Sequence, residues 1–285
     1  MKTPKLGLGT VQFGVPYGIS NKSGQLSQSD ALKALDLAYE SGIRVLDTAA
    51  SYGTAEEIIG MSPHPFRIIT KMKSNDSLLE SIRTLNRPSV YAVLAHNPSE
   101  LFTDSRFLRN FLSYREKGLT RKIGLSVYTA EEIDEALALF PFDIIQVPFS
   151  VFDQRLYRSG HLQKLKERGI EVHARSTFLQ GLLLMDPKEL PEKVRFAQKH
   201  VESFQNTVKK LGLNAISAAL LFSLSFEEID HVIVGIESIQ NLNQLLEIQR
   251  ATLSEEQKKL LVEEACNDVT LLNPANWTAR QEKSL

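Results

Sequence analysis

The chain is poor in several features that would narrow its function. It has one cysteine, Cys266, in 285 residues, so no internal disulfide can form and the count does not point to an oxidising compartment. No run of about 18 apolar residues is present to span a bilayer. The stretch Met1-Lys2-Thr3-Pro4-Lys5-Leu6-Gly7-Leu8-Gly9 lacks the sustained apolar core of a secretory signal. The formal net charge is -1, which gives no basic excess for nucleic acid or an anionic membrane surface. The histidines, His64, His96, His161, His173, His200 and His231, show no HExxH-like ligand spacing, so no metal is expected. No GxGxxG follows the first apolar run, which argues against a doubly wound dinucleotide fold. The expectation is a soluble, cytoplasmic protein acting on a small molecule, with no nucleic-acid or membrane partner. Composition carries no signal for oligomeric state.

Apolar runs of strand length recur along the chain. They are Leu6–Thr10, Ile43–Thr48, Arg67–Lys71, Val90–His96, Lys122–Ser126, Asp143–Val147, Gly169–Arg175 and His231–Gly235. Helical patterns lie between them. Ser27-Gln28-Ser29-Asp30, Thr129-Ala130-Glu131-Glu132 and Ser254-Glu255-Glu256-Gln257 read as capping boxes, and Gly42 as a left-handed helix stop. Two helices, roughly Glu192–Leu211 and Asn214–Ser223, fill the gap before the eighth run. Alternation of this kind predicts parallel βαβ units. Eight of them in a chain of this length predict an α/β fold, one (β/α)₈ TIM barrel over residues 1–285.

Three consecutive runs end in a reactive side chain: Asp47, Lys71 and His96. Tyr52 follows Asp47 by five residues, beside Gly53. The C-terminal ends of barrel strands share one mouth, where such barrels keep their chemistry, so these four side chains are expected to meet there. Side-chain parity does not settle which strand face lines the barrel, because the alternate residues are apolar too.

These residues resemble the aldo-keto reductase family, in its bacterial form. The resemblance rests on Leu8-Gly9-Thr10-Val11-Gln12-Phe13-Gly14, Leu46-Asp47-Thr48-Ala49 with Tyr52-Gly53 and Glu56-Glu57, Thr70-Lys71, and Leu94-Ala95-His96-Asn97-Pro98. Arg121–Ser126, Ile145-Gln146-Val147-Pro148, Gly181-Leu182-Leu183 and Val232-Ile233-Val234-Gly235 continue it in order. It implies an oxidoreductase that reduces an aldehyde or ketone to an alcohol with a nicotinamide cofactor. Hydride transfer places negative charge on the carbonyl oxygen, which needs a proton donor. An ammonium beside a phenol favours the phenolate. The resemblance therefore implies Tyr52 as the acid, Lys71 as its tuning charge, Asp47 as the group fixing Lys71, and His96 as a neutral donor orienting the carbonyl.

The resemblance also assigns Gln146 and Ser126 to the nicotinamide carboxamide, and Gly9, Thr10, Gly235, Glu237, Ser238 and Asn241 to the nucleotide. The family usually has asparagine after the serine, where this chain has Val127. It usually stacks an aromatic ring on the nicotinamide from the seventh strand, where this chain has Arg175. Arg175 is expected either to stack there or to pair with Asp47 or a glutamate at the rim. Phe13, Tyr17 and Trp277, the last in a tail of about residues 266–285 over the mouth, are expected to wall the substrate pocket. NADP(H) is the family's usual cofactor. No Lys or Arg occurs from His231 to Gln249, and Glu237 sits where several members are basic, so NAD(H) use is expected too.

Two other readings fit parts of the pattern. One is a Schiff-base aldolase with Lys71 as nucleophile, which Asp47 opposes by keeping the amine protonated. The other is a nicotinamide-binding redox-sensing subunit with little or no turnover, which Val127 and Arg175 would allow.

Overall fold

The computed structural model describes residues 5–277. Eight parallel strands close a barrel in chain order: β1 (Leu6–Gly9), β2 (Val45–Ala49), β3 (Arg67–Met72), β4 (Val90–Ala95), β5 (Thr120–Ser126), β6 (Ile144–Pro148), β7 (Glu171–Arg175) and β8 (His231–Gly235). Closure is made by β8 pairing with β1, with Leu8 opposite Val234 and Gly9 opposite Gly235. All eight expected strands form, with ends shifted by at most two residues.

The helices are anchored by the expected chemistry, with one difference. Thr129 and Ser254 make complete capping boxes with Glu132 and Gln257. Ser27 accepts from the Asp30 amide but receives no return bond; its hydroxyl donates to Asp30 Oδ2 instead. Aspartate is one methylene shorter than the glutamate of a full box. Gly42 takes the expected left-handed conformation, φ +90°, after helix Gln28–Glu40. The two late helices appear as Gln198–Lys210, preceded by a 3₁₀ stretch Glu192–Ala197, and Ala215–Leu224.

Two hydrophobic cores separate cleanly. The large one lies between strands and helices and holds Leu46, Ile68, Val93, Ile145, Val172 and Val232 among many others. The small one fills the barrel: Val45, Ile69, Ala92, Leu94, Ile144 and Ile233. This division resolves the parity question. Asp47, Lys71, His96, Gln146 and Gly235 each stand two residues beyond an inner residue, so they share its inward face. The polar site is thus the top layer of the barrel interior, stacked on an apolar layer.

The opposite end of the barrel carries a second polar layer. Glu171 Oε1 is 2.7 Å from His173 Nε2 and 3.8 Å from His231 Nε2, while Lys122 Nζ (2.5 Å) and the Tyr91 hydroxyl (2.8 Å) donate to its other oxygen. Burial would raise the Glu171 carboxyl, but the hydrogen bonds from His173 and Lys122 outweigh it and hold it well below the usual carboxylate range. Glu171, His173 and His231 could converge on a metal ion, a grouping invisible in sequence because its strands are sixty residues apart. The Lys122 ammonium already neutralises that carboxylate, so the geometry is that of an ion-pair network closing the barrel floor.

His231 is held down to about pH 4 by burial, and then by the neighbouring His173 charge; Glu171 and Asp230 act against this and Arg67 with it. The unfolded chain takes up this proton near pH 6.5 and the folded one only near 4, so stability falls as pH drops between those values. Thermal melts at pH 7 and pH 4.5 should show His231→Gln losing less than the wild type, by at most about 3 kcal/mol. Equal losses in the two proteins would refute this.

Candidate active site

A cavity of about 600 Å³ opens at the C-terminal ends of the strands and is lined by Asp47, Tyr52, Lys71 and His96. Asp47 and Lys71 form a buried ion pair, with side chains 7% and 3% exposed. The second Asp47 oxygen accepts from Gln146 Nε2 at 2.7 Å, across the barrel. Burial would lower the Lys71 ammonium, but the Asp47 carboxylate and the hydrogen bonds that the ammonium donates to Asp47 and Tyr52 outweigh it and raise it. An amine held protonated in this way is a poor Schiff-base nucleophile.

Tyr52 stands over this pair. Lys71 Nζ is 5.1 Å from the Tyr52 ring centroid, and the ring meets His96 edge-on at 6.0 Å between centroids. The loops after β1 and β2 interlock to hold it. A Cβ on Gly14 would lie 1.7 Å from the Tyr52 carbonyl oxygen, and Gly53 adopts φ +54° with its own Cβ position 2.4 Å from the Gly14 oxygen. Only glycine at both positions lets the two backbones cross there. Glu56, beyond Tyr52, accepts the Thr70 hydroxyl at 2.6 Å and ties the following helix to β3.

His96 extends the ladder, its amide donating to the Met72 carbonyl at 2.8 Å. Its Nδ1 lies 3.4 Å from the Ser51 hydroxyl, leaving the other ring nitrogen for the cavity. Burial, and then the Lys71 charge, hold the imidazole down to about pH 4. It is therefore neutral near pH 7, as a hydrogen-bond donor to a carbonyl must be if it is not to compete as the acid.

The residues expected at the nucleotide, Gly9, Thr10, Ser126, Gln146, Arg175, Gly235, Glu237, Ser238 and Asn241, all line this cavity. Three buried oxygens of its lining residues have no partner among the described residues: Gln146 Oε1, Gln12 Oε1 and the Thr177 hydroxyl. An orphaned amide oxygen beside the reacting groups fits a ligand that brings an amide N–H, as a nicotinamide does. Further along, Ser238 caps helix Ile239–Ile248, whose N-terminal amides suit a phosphate. Glu237 Oε1 accepts from the Ser20 hydroxyl at 3.3 Å, and the Ile19 amide donates to Gln180 O at 2.9 Å. The segment around Ser20 thus crosses from the loop after β1 to those after β7 and β8.

Several expectations need correction. Phe13 is fully buried in the outer core and does not line the cavity. Trp277 is buried as well, its indole donating to Leu271 O at 3.1 Å. Both bury more apolar surface against the barrel than a wet pocket wall would. Of the three aromatic residues expected there, Tyr17 lines the cavity. Residues 278–285 of the tail lie outside the described residues. Arg175 pairs with no carboxylate among the described residues; it stacks on Tyr128 at 4.1 Å from the ring centroid. Val127 points outward into the helix-side core and offers the site only its carbonyl, which accepts from Arg175. Tyr128, Gln12 and Gln180 are lining residues that sequence reasoning missed. Tyr128 had a signal, an aromatic residue just past a strand end, and Gln12 stood inside the first motif of the resemblance; Gln180 had none.

The model of the Aldo/keto reductase family matches residues 5–264. The chain is 26% identical to methylglyoxal reductase DkgB of Escherichia coli O157:H7, covering 94% of this chain and 95% of the relative. It is 23% identical to aldo-keto reductase YhdN of Bacillus subtilis, over 91% and 89%. Among solved structures it is similar to aldo-keto reductase AKR11C1 from Bacillus halodurans in its holo form, with TM-score 0.75, 19% identity and 92% of each chain covered, a likeness of fold.

Proposed function

The chain belongs to the aldo/keto reductase family and reduces carbonyl compounds with a nicotinamide nucleotide, and we propose that Tyr52, Lys71, Asp47 and His96 carry that reaction at the barrel mouth. The observation that supports this most is their convergence on one cavity beside the orphaned oxygen of Gln146. A reduced nicotinamide bound there supplies the hydride. The Tyr52 hydroxyl gives its proton to the carbonyl oxygen as charge develops on it. The Lys71 ammonium next to it stabilises the phenolate left behind, and Asp47 keeps that ammonium in place and charged. Neutral His96 donates to the same carbonyl oxygen and sets its direction. Gln146 joins the two ends of the site: one end of its amide fixes Asp47, and its unpartnered oxygen would accept from the carboxamide of a bound nicotinamide.

The relatives named methylglyoxal reductases make a small 2-oxoaldehyde the substrate to assay first. Turnover of such an aldehyde at rates typical of enzymes supports the catalytic reading. Cofactor binding with no turnover across a panel of aldehydes would replace it with the redox-sensing one.

For the cofactor, the reading is use of both nucleotides. Glu237 lines the cavity next to Ser238, and no Lys or Arg stands between His231 and Gln249. A carboxylate repels a 2′-phosphate but accepts from a free 2′-hydroxyl. Ser238 and the amides of the helix it caps still offer a phosphate some hold. NADH is expected to be used within about 100-fold of NADPH, a span of roughly 2.7 kcal/mol. Measuring kcat/KM for both with one aldehyde decides it; a larger preference for NADPH would mean that cationic groups outside this segment grip the phosphate.

A further inference from the structure

Arg175 ends β7 on the inward face, two residues beyond His173, and is level with Pro148 of β6. Its guanidinium donates to the Ser126 hydroxyl at 3.1 Å, the Val127 carbonyl at 3.0 Å and the Ser176 hydroxyl at 3.3 Å, and lies over the Tyr128 ring. Every one of these partners is neutral. The other buried cation of the site, Lys71, is different, because Asp47 cancels its charge at contact distance. An arginine cannot relieve the situation by losing its proton. The inner end of the cavity therefore carries one uncompensated positive charge, and its field reaches the reacting groups: Arg175 is among the charges that keep His96 neutral.

Ser126 and Gln146 are register neighbours on β5 and β6, and Ser126 bonds Arg175 directly. A nicotinamide ring held by Gln146 and turned toward Tyr52 would lie against this wall, since all of these residues line the one cavity. The two redox states of that ring differ by one unit of charge: the reduced ring is neutral and the oxidised ring is a cation. Neutral walls barely distinguish them, but an adjacent cation does.

Resting on the nicotinamide reading above, we propose that Arg175 makes the site bind the reduced nucleotide in preference to the oxidised one, so that the free site loads with hydride donor and sheds the spent nucleotide. Repulsion between two unit charges in neighbouring groups changes affinity roughly tenfold to a hundredfold at the effective dielectric of a half-buried site. The overall equilibrium of the reaction is unchanged. Hydride transfer within the complex becomes less favourable by the same factor, and the oxidised form leaves more readily after the hydride has gone.

The test is a binding titration, without carbonyl substrate, of the wild type, Arg175→Gln and Arg175→Lys with reduced and oxidised nucleotide. The wild type is expected to bind the reduced form more tightly. In Arg175→Gln the ratio of the two dissociation constants should shrink by about tenfold or more, mainly through tighter binding of the oxidised form. Arg175→Lys keeps the charge while losing the planar fork, so it should keep the ratio even where both affinities fall. Circular dichroism melts establish that each variant is folded. If Arg175→Gln weakens both forms equally and leaves the ratio intact, Arg175 acts by packing alone and the proposal fails. If the wild type binds neither form, the nicotinamide reading fails first, and this proposal with it.

Discussion

Replacing Tyr52 by phenylalanine is expected to lower kcat/KM for carbonyl reduction by about 10²–10⁴-fold, the usual worth of a general acid. The ring that packs over Lys71 and against His96 remains, so fold and nucleotide binding should change little. The loss should fall on kcat, because the proton is delivered only as charge develops on the oxygen. The backbone hold on residue 52, through Gly14 and Gly53, does not depend on the hydroxyl. Rates within a few-fold of wild type would remove Tyr52 from the role of acid and leave His96 as the remaining donor in reach of the carbonyl. The low proton affinity of His96 would then predict activity that collapses as pH rises, a second way to see the difference.

Replacing Lys71 by methionine is expected to cost as much activity and also stability. The side chain is nearly isosteric in its apolar stem, but the charge next to Tyr52 is gone and Asp47 keeps only the Gln146 bond. Removing one partner of a buried ion pair typically costs about 3–5 kcal/mol, since the other charge stays buried without compensation. Denaturant unfolding should show that loss. Asp47→Asn added to Lys71→Met should recover much of the stability, because a neutral amide no longer needs a cation. Activity should stay low in the double variant, since Tyr52 still lacks its neighbouring charge. Recovery of both together would mean that the pair is only structural.

Much of this molecule was legible along the chain. The strands and their order follow from local apolar runs, and the capping boxes at Thr129 and Ser254 follow from side-chain reach within one turn. Asp47, Lys71 and His96 stood out because a polar residue ending an apolar run three times in succession has little local reason to exist. The box at Ser27 was misjudged for a local reason too, the short reach of Asp30.

What the amino-acid sequence determined by itself was the architecture and the level of the site: eight strands, and reactive groups at the ends of three of them. Only the closed barrel decided the rest. Both faces of β2, β3 and β4 are apolar, one toward the helices and one toward the barrel axis, so parity could not say where Asp47 points until Val45, Ile69 and Leu94 packed together inside. The Gln146 bond to Asp47 spans 99 positions of chain and exists because closure brings β6 across from β2. Phe13 and Trp277 went to the core because burying a large apolar ring is worth more there than at a wet rim. Arg175 lies on Tyr128, and not against a carboxylate, because the loop after β5 folds beneath it. Each of these contacts depends on distances between elements remote in sequence, which local pattern does not encode.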